Sequence, residues 1–466
     1  MLDFEYFEWF KKKVKEIYYF ITRYGIEHIN FDFSFESLKQ EPNKVNFFIK
    51  VHEGFELAQK EIIQALLIID DELAELKKLN INLRFKKQTI EIEELKKNIL
   101  TIRYHELVFR KLADSIAWQL LNMEKYRVRR LIINKQPTPI KNIDLKNTNE
   151  AIKWLKINYP NSFALITDIT TFFHIGDLLV IDPKSKQNFF IELKSGIVNE
   201  EISKMLGAFN PNDNSRNFKL FDTFFVNDKN GKKYKQLNRV IKQYIRSANV
   251  ISVFKNDKGI DNQTGSEIKI FNYDFKINYF AKRISKLFLK SQSDDSATTT
   301  IDECLLVGLY DSQLFGRKAM EMWLMLKKIK PYPVLNYIQS FYDPTVLPPF
   351  LQPINPNSIE ELVLLKKHLF FALNFDKWLI KAKKISLEFR WLTKKQTTKI
   401  LQDRKDPHKP FIFRNQALEF SYKKNTALLE QGILARIFYD WITPTSGLKL
   451  LKSLIDKTYK KNNKFV

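Results

Sequence analysis

The stretch IGDLLVIDPKSKQNFFIELKSG, Ile175 to Gly196, decides how the rest of this 466-residue chain is read. Two apolar runs, Ile175 to Ile181 and Asn188 to Leu193, flank the turn-rich hexapeptide DPKSKQ. That arrangement predicts a β-hairpin. On a strand, residues two apart share a face, so Glu192 and Lys194 point one way while Leu193 packs the other. Asp177 follows Gly176 at the mouth of the first run, and antiparallel pairing through the turn brings it toward Glu192. Two carboxylates meeting there repel each other unless a cation sits between them. A hard ion with oxygen ligands, Mg²⁺ or Mn²⁺, is the natural candidate.

The tripeptide Glu-Leu-Lys also occurs at Glu75 to Lys77 and at Glu94 to Lys96. Both of those copies lie in helical periodicity, where residues two apart diverge, and they are expected to be solvated helix charges. Asp182-Pro183-Lys184 and Asp144-Leu145-Lys146 also satisfy the bare acidic-x-lysine pattern. The strand setting, more than the pattern, singles out the third copy.

Upstream, Phe163 to Ile169 (FALITDI) reads as a further strand and Asn149 to Ile157 as a short helix. Downstream come a basic helix, Tyr234 to Ala248, and a run, Val250 to Phe254 (VISVF), with strand vocabulary. The order helix, three strands, helix, strand predicts a compact α/β core with a central mixed sheet. From Val51 to Leu121 apolar residues recur at three- and four-residue steps, and no Gly or Pro falls between Phe55 and Gln136. These features predict an all-helical N-terminal domain over residues 1–128, with the core over 129–288. The polar segment 289–300 (LKSQSDDSATTT) reads as a linker. Residues 301–466, with Pro-rich connections and amphipathic patterns, are expected to form a mostly helical recognition or assembly domain. The fold class expected is therefore multidomain α+β.

The 77 Lys and Arg outnumber the 53 Asp and Glu, for a net charge of +24. Such an excess favours a polyanionic partner, although Lys, Asn, Ile and Phe are also the residues AT-rich codons specify. The single cysteine, Cys304, forbids an intrachain disulfide, and six scattered histidines supply no zinc cluster. The N-terminus lacks the order of a signal peptide and no apolar run approaches membrane-spanning length, so a soluble, cytoplasmic protein is expected.

Asp177, a spacer spanning a β-turn, and Glu192-Leu193-Lys194 resemble the active-site signature of the PD-(D/E)xK nuclease superfamily, the restriction-endonuclease-like fold. Gly176 stands where the family name has proline, and the resemblance covers residues 149 to 254. It implies metal-dependent hydrolysis of a phosphodiester bond, with Mg²⁺ or Mn²⁺ held by Asp177, Glu192 and the backbone carbonyl of Leu193. Lys194 would position the attacking water or take its proton. The basic helix carries Lys233, Lys235, Gln236, Arg239, Lys242 and Arg246. Lys235 and Gln236 are the residues the resemblance sets nearest the scissile phosphate, and a solvated basic face is the plain alternative. A further acidic ligand could come from Glu150 or Glu106, and Asp168 could complete a second metal position. His174 is read either as a structural hydrogen-bonder or as a participant in catalysis. DNA is the expected substrate, cut endonucleolytically, and restriction of foreign DNA, as in phage defence, is what standalone members imply. Cutting both strands with one site per chain would call for a homodimer. The competing reading is a non-catalytic nucleic-acid-binding or scaffolding protein with a degenerate nuclease fold.

Overall fold

The computed structural model describes residues 4–86, 89–132, 137–185, 187–193, 197–208, 224–225, 228, 231–271, 273–329, 333–403, 410–423 and 425–462. They form a mixed α+β protein that divides into two compact units, residues 1–270 and 271–466. Among the described residues no helix is long and apolar enough to cross a membrane.

The first unit begins with helices α1 (Phe4–Thr22), α2 (Tyr24–Glu27), α3 (Glu41–Phe85), α4 (Thr89–Leu120) and α5 (Lys125–Leu131). Helix α3 runs 45 residues, roughly 67 Å at 1.5 Å per residue. It buries Phe55, Ala58, Ile62, Ala65, Ile69, Leu73 and Leu76 at steps of three and four, the stripe that a helix packed along another requires. The two upstream Glu-Leu-Lys copies lie on α3 and α4. Glu75 pairs with Lys78 and Lys96 with Glu93 at exposed i,i+3 positions.

After α6 (Leu145–Asn158) comes a three-stranded antiparallel meander, β1 (Phe163–Ile166), β2 (Leu178–Asp182) and β3 (Gln187–Ile191), in that order across the sheet. All four residues of β1 are buried. Its outer edge faces α3, where Gln59 lies almost fully buried: Gln59 Nε2 donates to Ala164 O at 3.1 Å, and Ile166 N–H donates to Gln59 Oε1 at 2.8 Å. One amide side chain thus does for β1 what a neighbouring strand would do. The helical region and the sheet consequently share one compact unit, where the sequence suggests separate domains.

Helices α7 (Ile197–Ala208) and α8 (Lys232–Asn256) and a small hairpin, β4 (Lys258–Ile260) with β5 (Glu267–Lys269), complete this unit. Here two expectations are corrected. The run Val250 to Phe254 is not a strand but the continuation of α8, and the described strands form no mixed sheet. Val250 and Val253, three residues apart, are both buried on one helical face, and no Gly or Pro interrupts the helix before Asp257 ends it with φ +54°. Tertiary packing here overrides the β preference of the branched residues.

The second unit contains α9 (Ala281–Lys290), β6 (Ser296–Ile301), β7 (Leu305–Tyr310), α10 (Gln313–Leu326), β8 (Leu335–Asn336), α11 (Pro356–Val363), β9 (His368–Leu373), α12 (Phe375–Lys383), β10 (Glu388–Trp391), α13 (Lys394–Asp403), β11 (Ile412–Phe413), β12 (Gln416–Tyr422), β13 (Asn425–Leu428), α14 (Gln431–Tyr439) and α15 (Pro444–Asn462). Its antiparallel sheets run β6-β7-β9-β8 and β10-β12-β11, with β13 paired to β12. The expected mostly helical domain is therefore an α+β unit. Strands β7 and β9 are buried on both faces, and such uniformly apolar runs carry no period to separate strand from helix. The expected linker 289–300 is instead the end of α9, a turn and most of β6. Ala297 and Ile301 point inward while Thr298 and Thr300 face solvent, which gives a half-wet edge strand its polar composition. Helix α9 belongs here too, because Ile284, Leu287 and Phe288 enter this unit's core.

Replacing Gln59 by Leu keeps the bulk but orphans two buried main-chain groups. The first unit should lose about 2–6 kcal/mol, read by urea denaturation, since each such group costs roughly 1–3 kcal/mol. A second outcome follows from His52 and His105, whose burial lowers both imidazoles from 6.5 to about 4. The unfolded chain takes up protons as pH falls through 6.5, and the folded one does not until about 4. The unfolded state therefore binds more protons throughout that window, and stability should fall as pH drops across it. His105 stacks on Phe10 with ring centroids 3.6 Å apart. The variant His105→Phe should show a shallower decline in denaturation midpoint from pH 7 to 4.

Candidate functional site

The site is built from the open end of the meander. Gly176 has φ +73°, and a Cβ placed there would lie 3.1 Å from Ile191 O and 3.3 Å from Phe190 Cβ. The position therefore takes glycine for two separate reasons. Thr167 Oγ1 donates to Gly176 O at 2.6 Å, Thr167 N–H donates to Asp177 O at 3.0 Å, and Asp177 N–H donates to Ile191 O at 2.7 Å. The backbone of Asp177 is thus held from both sides. The paired register ends at Leu178↔Ile191, and the Asp177 amide bonds that same Ile191 carbonyl, so Asp177 and Glu192 lie just past the last pair at the open end of the hairpin. Asp177 Oδ2 accepts from Leu193 N–H at 2.5 Å, and Glu192 Oε1 accepts from Gln243 Nε2 of α8 at 2.7 Å.

Asp177 and Glu192 line a cavity of about 440 Å³ together with Asp168, His174 and one face of α8. That face presents Arg239, Lys242, Gln243 and Arg246, at i, i+3, i+4 and i+7, so three cations and the amide fall on a single stripe. Lys235, exposed one turn earlier, extends the same stripe by its spacing. Asp168 and Asp177 also border a second cavity of about 490 Å³, which is lined further by Asp144, Leu193 and Glu200. The two acids therefore border both a chamber of mixed charge, where three cations face three carboxylates, and an acidic one.

Not every residue proposed from sequence faces this space. Gln236 donates to Asn199 of α7 at 2.7 Å, and Lys233 pairs with Glu201 at 2.7 Å while lying over the Phe224 ring. Gln243, two turns further along α8, supplies the amide that reaches the carboxylate. Glu106 accepts from Arg110 Nε at 3.0 Å, and Glu150 is exposed on α6; neither lines either cavity. Lys194 lies outside the described residues, as do Ser195 and Gly196.

Behind the cavity sits a polar cluster whose role was hidden in the helical sequence FRKLADS. Arg110 donates to Asp168 O at 3.0 Å and to Thr138 O at 2.8 Å, and Thr138 Oγ1 donates to Asp168 Oδ1 at 2.9 Å. Lys111 and Asp114, essentially inaccessible to solvent, form an ion pair at 2.9 Å. Asp114 also accepts from Thr171 N–H at 2.7 Å and from Thr171 Oγ1 at 2.5 Å. These bonds fix the segment Thr167–His174 that leads into the site. Burial lowers the His174 imidazole, with Asp168 and Asp114 pulling the other way, so the ring is neutral near pH 7.

The donors offered at the site are carboxylate oxygens with the Leu193 main chain beside them, a hard set suited to Mg²⁺ or Mn²⁺ rather than to a thiophilic metal. Among the described residues no group of three or more His, Cys, Asp and Glu could hold a metal ion unaided. A magnesium-type ion commonly takes only one or two carboxylates and fills its other positions with water and substrate phosphate. The chain matches no family model, no curated protein and no solved structure.

Gly176→Ala should destabilise the first unit by about 1–2 kcal/mol, because a left-handed φ and a crowded Cβ act together. Thermal unfolding of the variant against the parent chain checks this.

Proposed function

We propose that the first unit is a divalent-metal-dependent nuclease that hydrolyses phosphodiester bonds, with DNA as its substrate and a core related to the PD-(D/E)xK superfamily. The observation that carries this reading is that Asp177 and Glu192, at the open end of the β2–β3 hairpin, line one cavity with Arg239, Lys242 and Arg246. The order α6, meander, α7 and α8 supports it as well, whereas a fourth strand after α8 is replaced by the helix itself.

Each residue has a part in that chemistry. Arg239, Lys242 and Arg246 neutralise the phosphate chain and lay it along α8, at steps of three and four residues, about one helical turn each. Gln243 orients Glu192 through its amide, and the Leu193 amide fixes the rotamer of Asp177. Held this way, the two carboxylates are positioned at the reacting phosphate. When bound, a divalent ion would polarise the phosphoryl group and acidify a water molecule. By the family resemblance Lys194 would donate to the charge that develops on the phosphate. The second reading, a nucleic-acid-binding protein without catalysis, draws on the lack of a three-ligand group among the described residues.

Incubation of supercoiled plasmid and labelled single strands with the protein plus Mg²⁺, Mn²⁺ or EDTA separates the two. Metal-dependent cleavage should fall at least about 100-fold in Asp177→Asn and in Glu192→Gln with binding retained. Lys242→Ala and Arg246→Ala should weaken binding first. Binding without cleavage in every metal would favour the second reading, and activity surviving both acidic substitutions would overturn the first.

A further inference from the structure

Helix α10 is apolar on two opposite sides. Gly316, Met320 and Leu324, at i, i+4 and i+8, are buried against Tyr310, Phe370 and their neighbours in the second unit. The opposite side carries Leu314, Phe315, Met322, Met325 and Leu326, which are 60–75% exposed. At 3.6 residues per turn these five fall within an arc of about 120°. Three of the six methionines of the chain, Met320, Met322 and Met325, sit in this one helix. Lys318 falls within the same arc and Glu321 at its edge, so this is an exposed apolar face that carries its own charges. Adaptable methionines are typical of contact surfaces.

We propose that this face is the seam of a homodimer in which two copies of α10 pack antiparallel about a two-fold axis. Charge supports a second copy as the occupant. Along the segment the signs read negative at Asp311, positive at Arg317 and Lys318, negative at Glu321 and positive at Lys327 and Lys328. Reversing the segment about a point between Ala319 and Met320 sets Asp311 opposite Lys328, Lys318 opposite Glu321, and Leu314 opposite Met325. An isologous pair needs this kind of antisymmetry, and antiparallel helices also oppose their dipoles favourably. Asp311 pairs with Lys367 in its own chain and Glu321 with Arg317, so the intersubunit charges add to existing pairs. Area agrees. With on the order of 100 Å² exposed on each side chain, five per copy give about 1,000 Å² in the pair, the lower bound for a specific interface. An anionic lipid surface would instead select an all-basic rim, which Asp311 and Glu321 break.

The inference does not depend on the nuclease reading, and its test involves no cleavage. Sedimentation equilibrium of the full chain over a concentration series should show a monomer–dimer equilibrium, which Met325→Lys should abolish without altering the far-UV circular dichroism or melting temperature. Lys318→Glu and Glu321→Lys should each weaken the dimer about tenfold or more, and the double variant K318E/E321K should regain it, because the swapped charges meet again across the axis. A monomer at every concentration would overturn the proposal. So would a dimer indifferent to Met325→Lys and Leu314→Lys, or a monomer that binds phosphatidylserine vesicles through this face.

Discussion

The first unit depends on one side chain standing in for a strand. Strand β1 lies at the edge of a sheet of only three strands, yet its outer side is buried, where unpaired amides and carbonyls would carry their full desolvation cost. Gln59 satisfies the two main-chain groups that face α3 with the two ends of one amide. Only Asn and Gln carry a donor and an acceptor that can mimic a peptide group in this way, and only Gln has the reach from a helix. The long helices and the meander are therefore coupled in register as well as packed together.

From that anchor the order passes down the chain. With β1 fixed, Thr167 at its end grips both Gly176 and Asp177, and β3 takes the Asp177 amide from the other side. Arg110, Lys111 and Asp114 hold the intervening segment from α4, in the half of that helix that is enclosed on every side. Burying so many charged groups is tolerable because each has a partner. The arrangement stiffens a loop that would otherwise be free to let the two carboxylates drift apart.

What could be read in the sequence was what depends on short range. The hairpin follows from the turn DPKSKQ and a period of two, and the observed register agrees with it up to Leu178 and Ile191. The basic face of α8 was legible too, but not its phase. Gln236 and Gln243 look alike in sequence, and only the position of α7, which engages Asn199 with Gln236, decides which one meets Glu192. Gln59 reads as one more polar residue in a helix because its partners lie 105 and 107 positions away. The C-terminal sheet was concealed for a different reason. Strands β7 and β9 lack alternation because both their faces are covered, and β6 looks like a linker because one of its faces is wet.

The sealed Lys111–Asp114 pair and the open stripe of α8 also respond differently to ionic strength. Mobile ions screen charges that water can reach over about 10 Å at 0.1 M salt, and they have no access to a pair with no solvent contact. Salt thus acts on this molecule as a selective solvent variable. It weakens whatever Arg239, Lys242 and Arg246 attract and leaves the scaffold beneath them intact.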